Sequence, residues 1–263
     1  MNKVVLITGA NSGIGLATAK KLLEEGDVAY CLSRHAPNDN TIKFEYCDVT
    51  NREHIKRALE VIHKKEGRID AVVNNAGMGI SGATEFEPEE DIEKIIKVNL
   101  VGVINVCSLA LPYLRETKGR IINVGSLASV FPIPFQSLYS ATKAAVMSFS
   151  LSLQNEVKPS GVKVCCVLPG DVKTNFTANR EKTNVENDLI YGDRVKKSVA
   201  KMEHDEQHGM PPAKVAKVII KCLNKKRPPL VVSVGFQYKL LRGLLRIVPT
   251  RMMESILYNM YSK

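Results

Sequence analysis

Along most of the chain, short apolar runs alternate with longer stretches of mixed periodicity. The runs lie at 3–8 (KVVLIT), 28–33, 43–47, 70–75, 120–124, 163–168 and 230–234. They are mostly continuous rather than alternating, the pattern of strands covered on both faces of a parallel sheet. Between them, apolar positions recur at helical spacing. At 13–25, Ile14, Ala17, Leu22 and Leu23 mark one side and Lys20, Lys21, Glu24 and Glu25 the other. Residues 51–65 carry Ile55, Leu59 and Ile62 on one side, and 91–118 carry Ile95, Val98, Leu100, Val103, Val106 and Leu109. Further helices are predicted at 138–158 and 212–225. Strand–helix repetition with right-handed crossovers predicts an α/β fold, a doubly wound, mainly parallel seven-stranded sheet with helices on both faces. The expected layout is one catalytic domain over 1–235 and an amphipathic extension over 236–263.

Three segments interrupt the pattern, at 78–90, 126–137 and 174–211. The last is long and charged, too long for a plain connection, and reads as a lid. All three leave the carboxyl ends of strands, where ligands of such sheets bind.

Composition narrows the picture. The chain has 263 residues, 44% hydrophobic and 24% charged, which excludes general disorder and fits one large domain. Its formal net charge of +10 comes from 37 basic and 27 acidic residues. The cations are dispersed, with no basic stripe interleaved with aromatics, so no nucleic-acid partner is expected. No apolar run reaches the roughly 18–20 residues that span a bilayer. The N-terminus enters an apolar run at once without a leader-like cleavage region. Six cysteines, Cys31, Cys47, Cys107, Cys165, Cys166 and Cys222, lack CxxC spacing and sit mostly in apolar runs. Buried free thiols in a cytoplasmic protein are the expectation, and no metal site is expected. His204 and His208 are four apart in HDEQH, which is not HExxH and reads as a solvated helix face.

The first strand runs into Thr8-Gly9-Ala10-Asn11-Ser12-Gly13-Ile14-Gly15, with glycines spaced G-x-x-x-G-x-G. Such a loop allows a tight turn and close backbone approach, and the next helix offers unpaired N–H groups to an anion. Further along, Tyr139 and Lys143 lie four apart on one helix face. A free tyrosine titrates near pH ~10, and a cation within about 4–6 Å favours the phenolate, so Lys143 is expected to lower that pKa. Ser126 ends a strand thirteen residues before Tyr139, where its hydroxyl can polarise a carbonyl or cap the next segment. Asn99 sits inside a long helix, where asparagine is a poor helix former and suggests a local kink with a water site, or a satisfied core amide. Ser129 and Ser137 read as loop residues.

TGANSGIG at 8–15, Asp48, NNAG at 74–77, Asn99, Ser126, Tyr139-x-x-x-Lys143 and Pro169-Gly170 occur in one order. Together they closely resemble the short-chain dehydrogenase/reductase pattern, over residues 1 to about 235. The resemblance implies a Rossmann-type fold and an NAD(P)-dependent oxidoreductase acting between a carbonyl and an alcohol. It implies Tyr139 as general acid/base, Lys143 on the nicotinamide ribose, Ser126 on the substrate carbonyl and Asn99 in a proton relay to the lysine. It implies a dinucleotide held by Gly9, Asn11, Ser12, Gly13, Ile14 and Gly15, and by Asp48 and Val49 at the adenine edge. Asn75, Ala76 and Gly77 would lie beside the adenosine ribose, and Pro169, Gly170, Val172 and Thr174 at the carboxamide. It also implies a homodimer or homotetramer through the helices at 91–118 and 138–158.

An acid at the end of the second strand would bind the ribose of NAD and repel a 2′-phosphate. Here the chain reads Cys31-Leu32-Ser33-Arg34-His35. Arg34 can pair with a phosphate and Ser33 can add a hydrogen bond, which favours NADP, with NAD as the alternative. Met78, Ile80, Phe131, Pro132, Ile133, Pro134, Phe135 and Phe176 line the interrupting segments and point either to an apolar ketone or to lid packing. In the extension, Leu240, Leu241, Leu244, Leu245 and Val248 share a helical face, with Lys239, Arg242 and Arg246 off it. Pro249 stops that helix and Thr250 can cap a second one carrying Met252, Met253, Ile256, Leu257 and Met260. Such helices pack on their own body or on a second subunit, or rest on an anionic membrane as a peripheral contact. Two alternatives to a ketone reductase are a 3-oxoacyl thioester reductase and a non-catalytic cofactor-binding, membrane-associated protein. The intact Ser126, Tyr139 and Lys143 argue against the second.

Overall fold

The structure, a computed structural model, describes residues 2–183, 188–244 and 247–262. β1 (Val4–Thr8) leads into α1 (Gly13–Glu24), β2 (Val28–Ser33), β3 (Lys43–Tyr46), α2 (Arg52–Glu66) and β4 (Ala71–Asn74). Next come β5 (Ile80–Ser81), α3 (Glu89–Ile96), a π-turn at Lys97–Val101, α4 (Gly102–Thr117), β6 (Arg120–Val124), α5 (Ser137–Val157) and β7 (Lys163–Leu168). The chain continues through β8 (Glu181–Lys182), α6 (Gly192–Gln207), α7 (Pro212–Asn224), β9 (Val231–Ser233), α8 (Phe236–Leu244) and α9 (Thr250–Tyr261).

Seven strands form one sheet in the order β3-β2-β1-β4-β6-β7-β9, and every pairing is parallel. The expected doubly wound α/β architecture is therefore present. Successive strand residues point to opposite faces, and both faces are covered. Leu6, Val72 and Ile121 join one core with Leu59 and Leu114. Val5, Ile7, Val73 and Ile122 join another with Leu22, Ile219 and Leu223. This is why the runs are continuous rather than alternating. Burying each such side chain contributes roughly 1.5–3 kcal/mol. The chain winds outward from β1 to β3 and returns at β4, so the connections diverge beyond the carboxyl ends of β1 and β4.

Several details differ from the pattern-based reading. The helix expected over 91–118 is α3, the π-turn and α4 in succession, because one extra residue per turn is accommodated around Asn99. The whole rod, Glu89–Thr117, is long and apolar enough to cross a membrane. Ile95, Val103, Val106, Ala110 and Leu114 are buried in the protein, while Ile96, Val101 and Ile104 are exposed. A second sheet pairs β5 with β8, two residues each, too short for a pattern to betray. Pro249 rather than Thr250 occupies the N-cap of α9. Leu245, Arg246 and lid residues 184–187 lie outside the described residues.

The extension folds back on the lid. Arg194 of α6 donates from Nε to the Ser262 carbonyl at 2.9 Å and from Nη2 to its hydroxyl at 2.8 Å. Leu257 is buried, whereas Phe236, Leu240, Leu244, Ile247, Met252, Ile256 and Met260 are exposed.

Candidate active site

The turn between β1 and α1 is built by backbone demands. Gly9 and Gly13 have φ of +66° and +55°, the left-handed region that favours glycine. A Cβ on Gly15 would lie 2.6 Å from both the Gly9 carbonyl oxygen and Asn75 Nδ2. Ser12 is the N-cap of α1 but makes no side-chain cap among the described residues, and the first turn carries no acid. The first N–H groups of α1 are thus left for a negatively charged group. Asn75 braces this turn from behind, with Nδ2 donating to the carbonyls of Thr8 at 3.0 Å and Gly9 at 3.2 Å. The Thr8 hydroxyl accepts from the N–H groups of Asn75 and Ala76, both at 3.0 Å.

The neighbouring strand ends complete a cradle. Asp48 Oδ1 accepts from the N–H and hydroxyl of Thr50 at 2.9 and 2.7 Å. Burial pushes its pKa up, but the two Thr50 bonds and the charges of Arg34 and His54 outweigh this and hold it below the usual range. Val49 is buried against Gly102. Arg34 is exposed at the end of β2, while the Ser33 hydroxyl is buried and donates to the His35 carbonyl. Ser33 thus spends its proton locally, and Arg34 is the exposed cation at this strand end. Across the cradle, Val172 pairs with Met210, and Thr174 packs against Gly13. The Tyr238 ring covers Gly170 so closely that a Cβ there would fall inside it. Its hydroxyl donates to Asp171 Oδ2 at 2.9 Å. Tyr238 left no signal in the pattern, because its contact joins positions 67 residues apart. A glycine-lined turn with open N–H groups, an exposed cation where β2 ends and a buried lysine nearby together fit a phosphorylated dinucleotide.

Tyr139 and Lys143 stand one turn apart on α5, with Lys143 Nζ 5.6 Å from the Tyr139 ring centroid. Lys143 is buried and donates to the Val124 carbonyl at 3.1 Å. The π-turn puts Asn99 opposite. Asn99 Oδ1 accepts from the Met78 N–H at 2.8 Å, and Nδ2 donates to the Met78 carbonyl at 2.9 Å and to Thr142 Oγ1 at 3.3 Å. A Cβ on Gly77 would lie 3.2 Å from Asn99 Oδ1 and 3.4 Å from Lys143 Nζ. Asn99, Gly77 and Lys143 therefore meet at one point.

Ser126 ends β6 and begins a capping box: its hydroxyl accepts from the Ala128 N–H at 3.1 Å, and Ser129 Oγ accepts from the Ser126 N–H at 3.4 Å. Ser129 also donates to the Lys143 carbonyl at 2.9 Å. The serine read as a loop residue is thus a buried strut tying Ser126 to α5. Its three-residue offset from Ser126, the capping-box spacing, was the available signal.

Burial, the largest influence, pushes the Lys143 pKa down to about 8. Burial likewise pushes Tyr139 up to about 12; a hydrogen bond with Ser126 pulls it back, Glu206 raises it and Arg180 lowers it. This reverses the expectation that Lys143 would draw the phenol down. The cost of burying a phenolate is the largest influence on Tyr139 in the chain alone, whereas the lowering was expected from Lys143 together with the oxidised nicotinamide.

Residues 3–185 match the family described as short chain dehydrogenase, and the chain belongs to that family. It is an oxidoreductase acting between a carbonyl and an alcohol with a nicotinamide cofactor. A 3-ketodihydrosphingosine reductase of Bacteroides thetaiotaomicron is 41% identical over 239 residues, covering 89% of this chain and 88% of that protein. A solved short-chain dehydrogenase from Streptomyces avermitilis superposes with a TM-score of 0.81 at 29% identity, covering 97% of this chain and 96% of that one. ElxO with NADP bound superposes with a TM-score of 0.75 at 28% identity, covering 90% and 99%.

Proposed function

We propose that this chain is an NADPH-dependent reductase of a long-chain 3-ketone carrying an amino-alcohol head, as in 3-ketodihydrosphingosine. The observation that carries the reading is the proton donor. Tyr139 is half-buried with its pKa pushed up to about 12, so at pH 7 it is a neutral phenol beside a buried amine. A neutral phenol so placed can act as general acid toward a carbonyl oxygen. When bound, the nicotinamide supplies the hydride, which no side chain can. Ser126 orients the carbonyl oxygen, and Tyr139 hands it a proton as charge develops there. The Lys143 ammonium stabilises the phenolate left behind, and Asn99 holds the backbone of Met78, in the connection between β4 and β5. The likeness to a 3-ketodihydrosphingosine reductase supports the substrate class. Phe131, Ile133, Phe135 and Phe176, at the carboxyl edge of the sheet, support an alkyl chain.

The test is NADPH oxidation with 3-ketodihydrosphingosine, run beside a 3-oxoacyl thioester. Turnover of the first is expected. Tyr139→Phe is expected to lose about 10²–10⁴ in kcat while still binding NADPH. Turnover of the thioester alone would overturn the substrate assignment. Arg34, exposed with no acid beside it on β2, supports NADP over NAD. Arg34→Asp is expected to cut the preference for NADPH about tenfold to a hundredfold, the effect of one or two charge-assisted bonds. An unchanged NADPH/NADH ratio would defeat the assignment.

The same reading makes the chain a cytoplasmic homo-oligomer. Val101 and Ile104 by α4, and Leu151 on α5, are exposed apolar positions that support association through the two long helices. The exposed outer faces of α8 and α9 support peripheral contact with a lipid surface.

A further inference from the structure

Arg180 is an anomaly in the lid. It is 5% exposed, in a segment otherwise rich in solvated charge. Nη2 donates to Glu206 Oε1, while Nε and Nη1 are buried without a hydrogen-bond partner among the described residues. A guanidinium carries five donors in a fixed fork, and buried donors are ordinarily paired. The idle pair lies one ring away from the proton donor. The Arg180 guanidinium carbon is 5.8 Å from the Phe176 ring centroid, which is 5.6 Å from that of Tyr139. Nε lies 3.6 Å from where a Cβ on Gly79 would stand, in the β4–β5 connection that Asn99 pins at Met78. The position is held by β5–β8 pairing, with the Glu181 N–H donating to the Gly79 carbonyl at 3.0 Å.

We propose that Arg180 is a specificity residue whose Nε and Nη1 receive a second substrate oxygen, on the carbon two removed from the reacting carbonyl. Glu206 already balances the guanidinium charge, so the partner that fits is a neutral acceptor, a hydroxyl or a carbonyl, rather than an anion. A substrate carbonyl at Tyr139 meets Phe176 and then Arg180, so the acceptor belongs on the short polar end, with the alkyl chain directed elsewhere. The electrostatic influence of both Arg180 and Glu206 on the Tyr139 phenol agrees with this closeness. The assignment rests on the ketone-reductase reading above. It holds equally for a hydroxyl at C1 of a 3-keto amino alcohol and for the thioester oxygen of a 3-oxoacyl chain, since both place an oxygen two carbons from the ketone.

The test compares kcat/KM for a 1-hydroxy-3-ketone and a plain 3-ketone of equal chain length, with 3-ketodihydrosphingosine and a 3-oxoacyl thioester alongside. The wild type is expected to prefer the hydroxyketone by at least about tenfold, because a site built to donate to an oxygen rejects the analogue lacking it. Arg180→Leu is expected to lose most of that ratio, with the loss falling on the hydroxyketone. Arg180→Lys, which keeps a cation for Glu206 but not the fork, is expected to lose part of it. NADPH affinity, read by fluorescence, reports whether each variant is folded. If Arg180→Leu does not fold, the Arg180→Lys ratio decides, and an unchanged ratio overturns the proposal. Equal losses on both ketones, or a wild type indifferent to the hydroxyl, also overturn it. Reduction of the hydroxyketone but not of 3-ketodihydrosphingosine would sink the sphingoid reading and leave Arg180 assigned. Turnover of none of the four would sink both.

Discussion

The two halves of the site are made in different ways. From β1 to β7 the cofactor cradle is assembled from short motifs at adjacent strand ends, with glycines so closely approached that no side chain fits. Away from the sheet, the lid helix α6 and the extension rest on a small apolar cluster of Val195, Val199 and Met202 and on polar contacts such as Arg194 to Ser262 and Tyr238 to Asp171, with many apolar side chains of the extension left in solvent. The first region fixes reaction geometry by steric exclusion. The second, on the proposal made above, is where Arg180 would select the substrate, through side chains that can be exchanged without rebuilding the sheet.

The sharpest way to break this comparison is one substitution made in each region. Gly15→Ala drives a methyl against the Gly9 carbonyl and Asn75, and is expected to cost about 1–3 kcal/mol with at least a tenfold loss of NADPH affinity. Gly243→Ala, in α8, meets nothing within 4 Å among the described residues and is expected to be neutral or stabilising by up to about 1 kcal/mol. Denaturant titration with dinucleotide binding checks both, and equal effects would erase the distinction.

Lys143 sharpens it further. Its pKa is lowered from 10.5 to about 8 by burial, so the ammonium is present below pH 8 and is lost above it. Carbonyl reduction is expected to be flat in acid-to-neutral buffer and to fall as pH rises through about 8. Folding linkage has its own sign. Between pH 8 and 10.5 the unfolded chain holds a proton that the folded one lacks, so stability rises with pH; below pH 8 the full burial cost is present. Lys143→Met is therefore expected to be inactive yet more stable at pH 7, by up to about 3 kcal/mol, with the gain fading by pH 10.5. A less stable variant at pH 7 would contradict this.

The smallest effect concerns the outer surface. Phe236, Leu240 and Leu244 are exposed beside Lys239 and Arg242. The intact chain is expected to co-sediment with anionic vesicles several-fold more than a Phe236→Ser, Leu240→Ser, Leu244→Ser variant, and less so in high salt. Equal pelleting of the two would remove the lipid contact.

Legibility follows the same division. The seven strands of the main sheet, the glycine turn and the placing of Tyr139 and Lys143 on one helix face were readable because each rests on residues close in the chain. The π-turn was signalled only by an asparagine in a helix. The tyrosine's proton affinity was misjudged because side-chain spacing says nothing of how dry the surroundings are. Arg180, Glu206 and Tyr238 were invisible as site residues, since lid charges look solvated until the fold buries one of them.

The ring of Tyr238 resting on Gly170 has a consequence for anyone handling the protein. The extension covers the turn that follows β7, one of those expected to meet the dinucleotide, so shortening the C-terminus uncovers that turn and is not the trimming of an appendage. A truncated chain is for that reason a poor control.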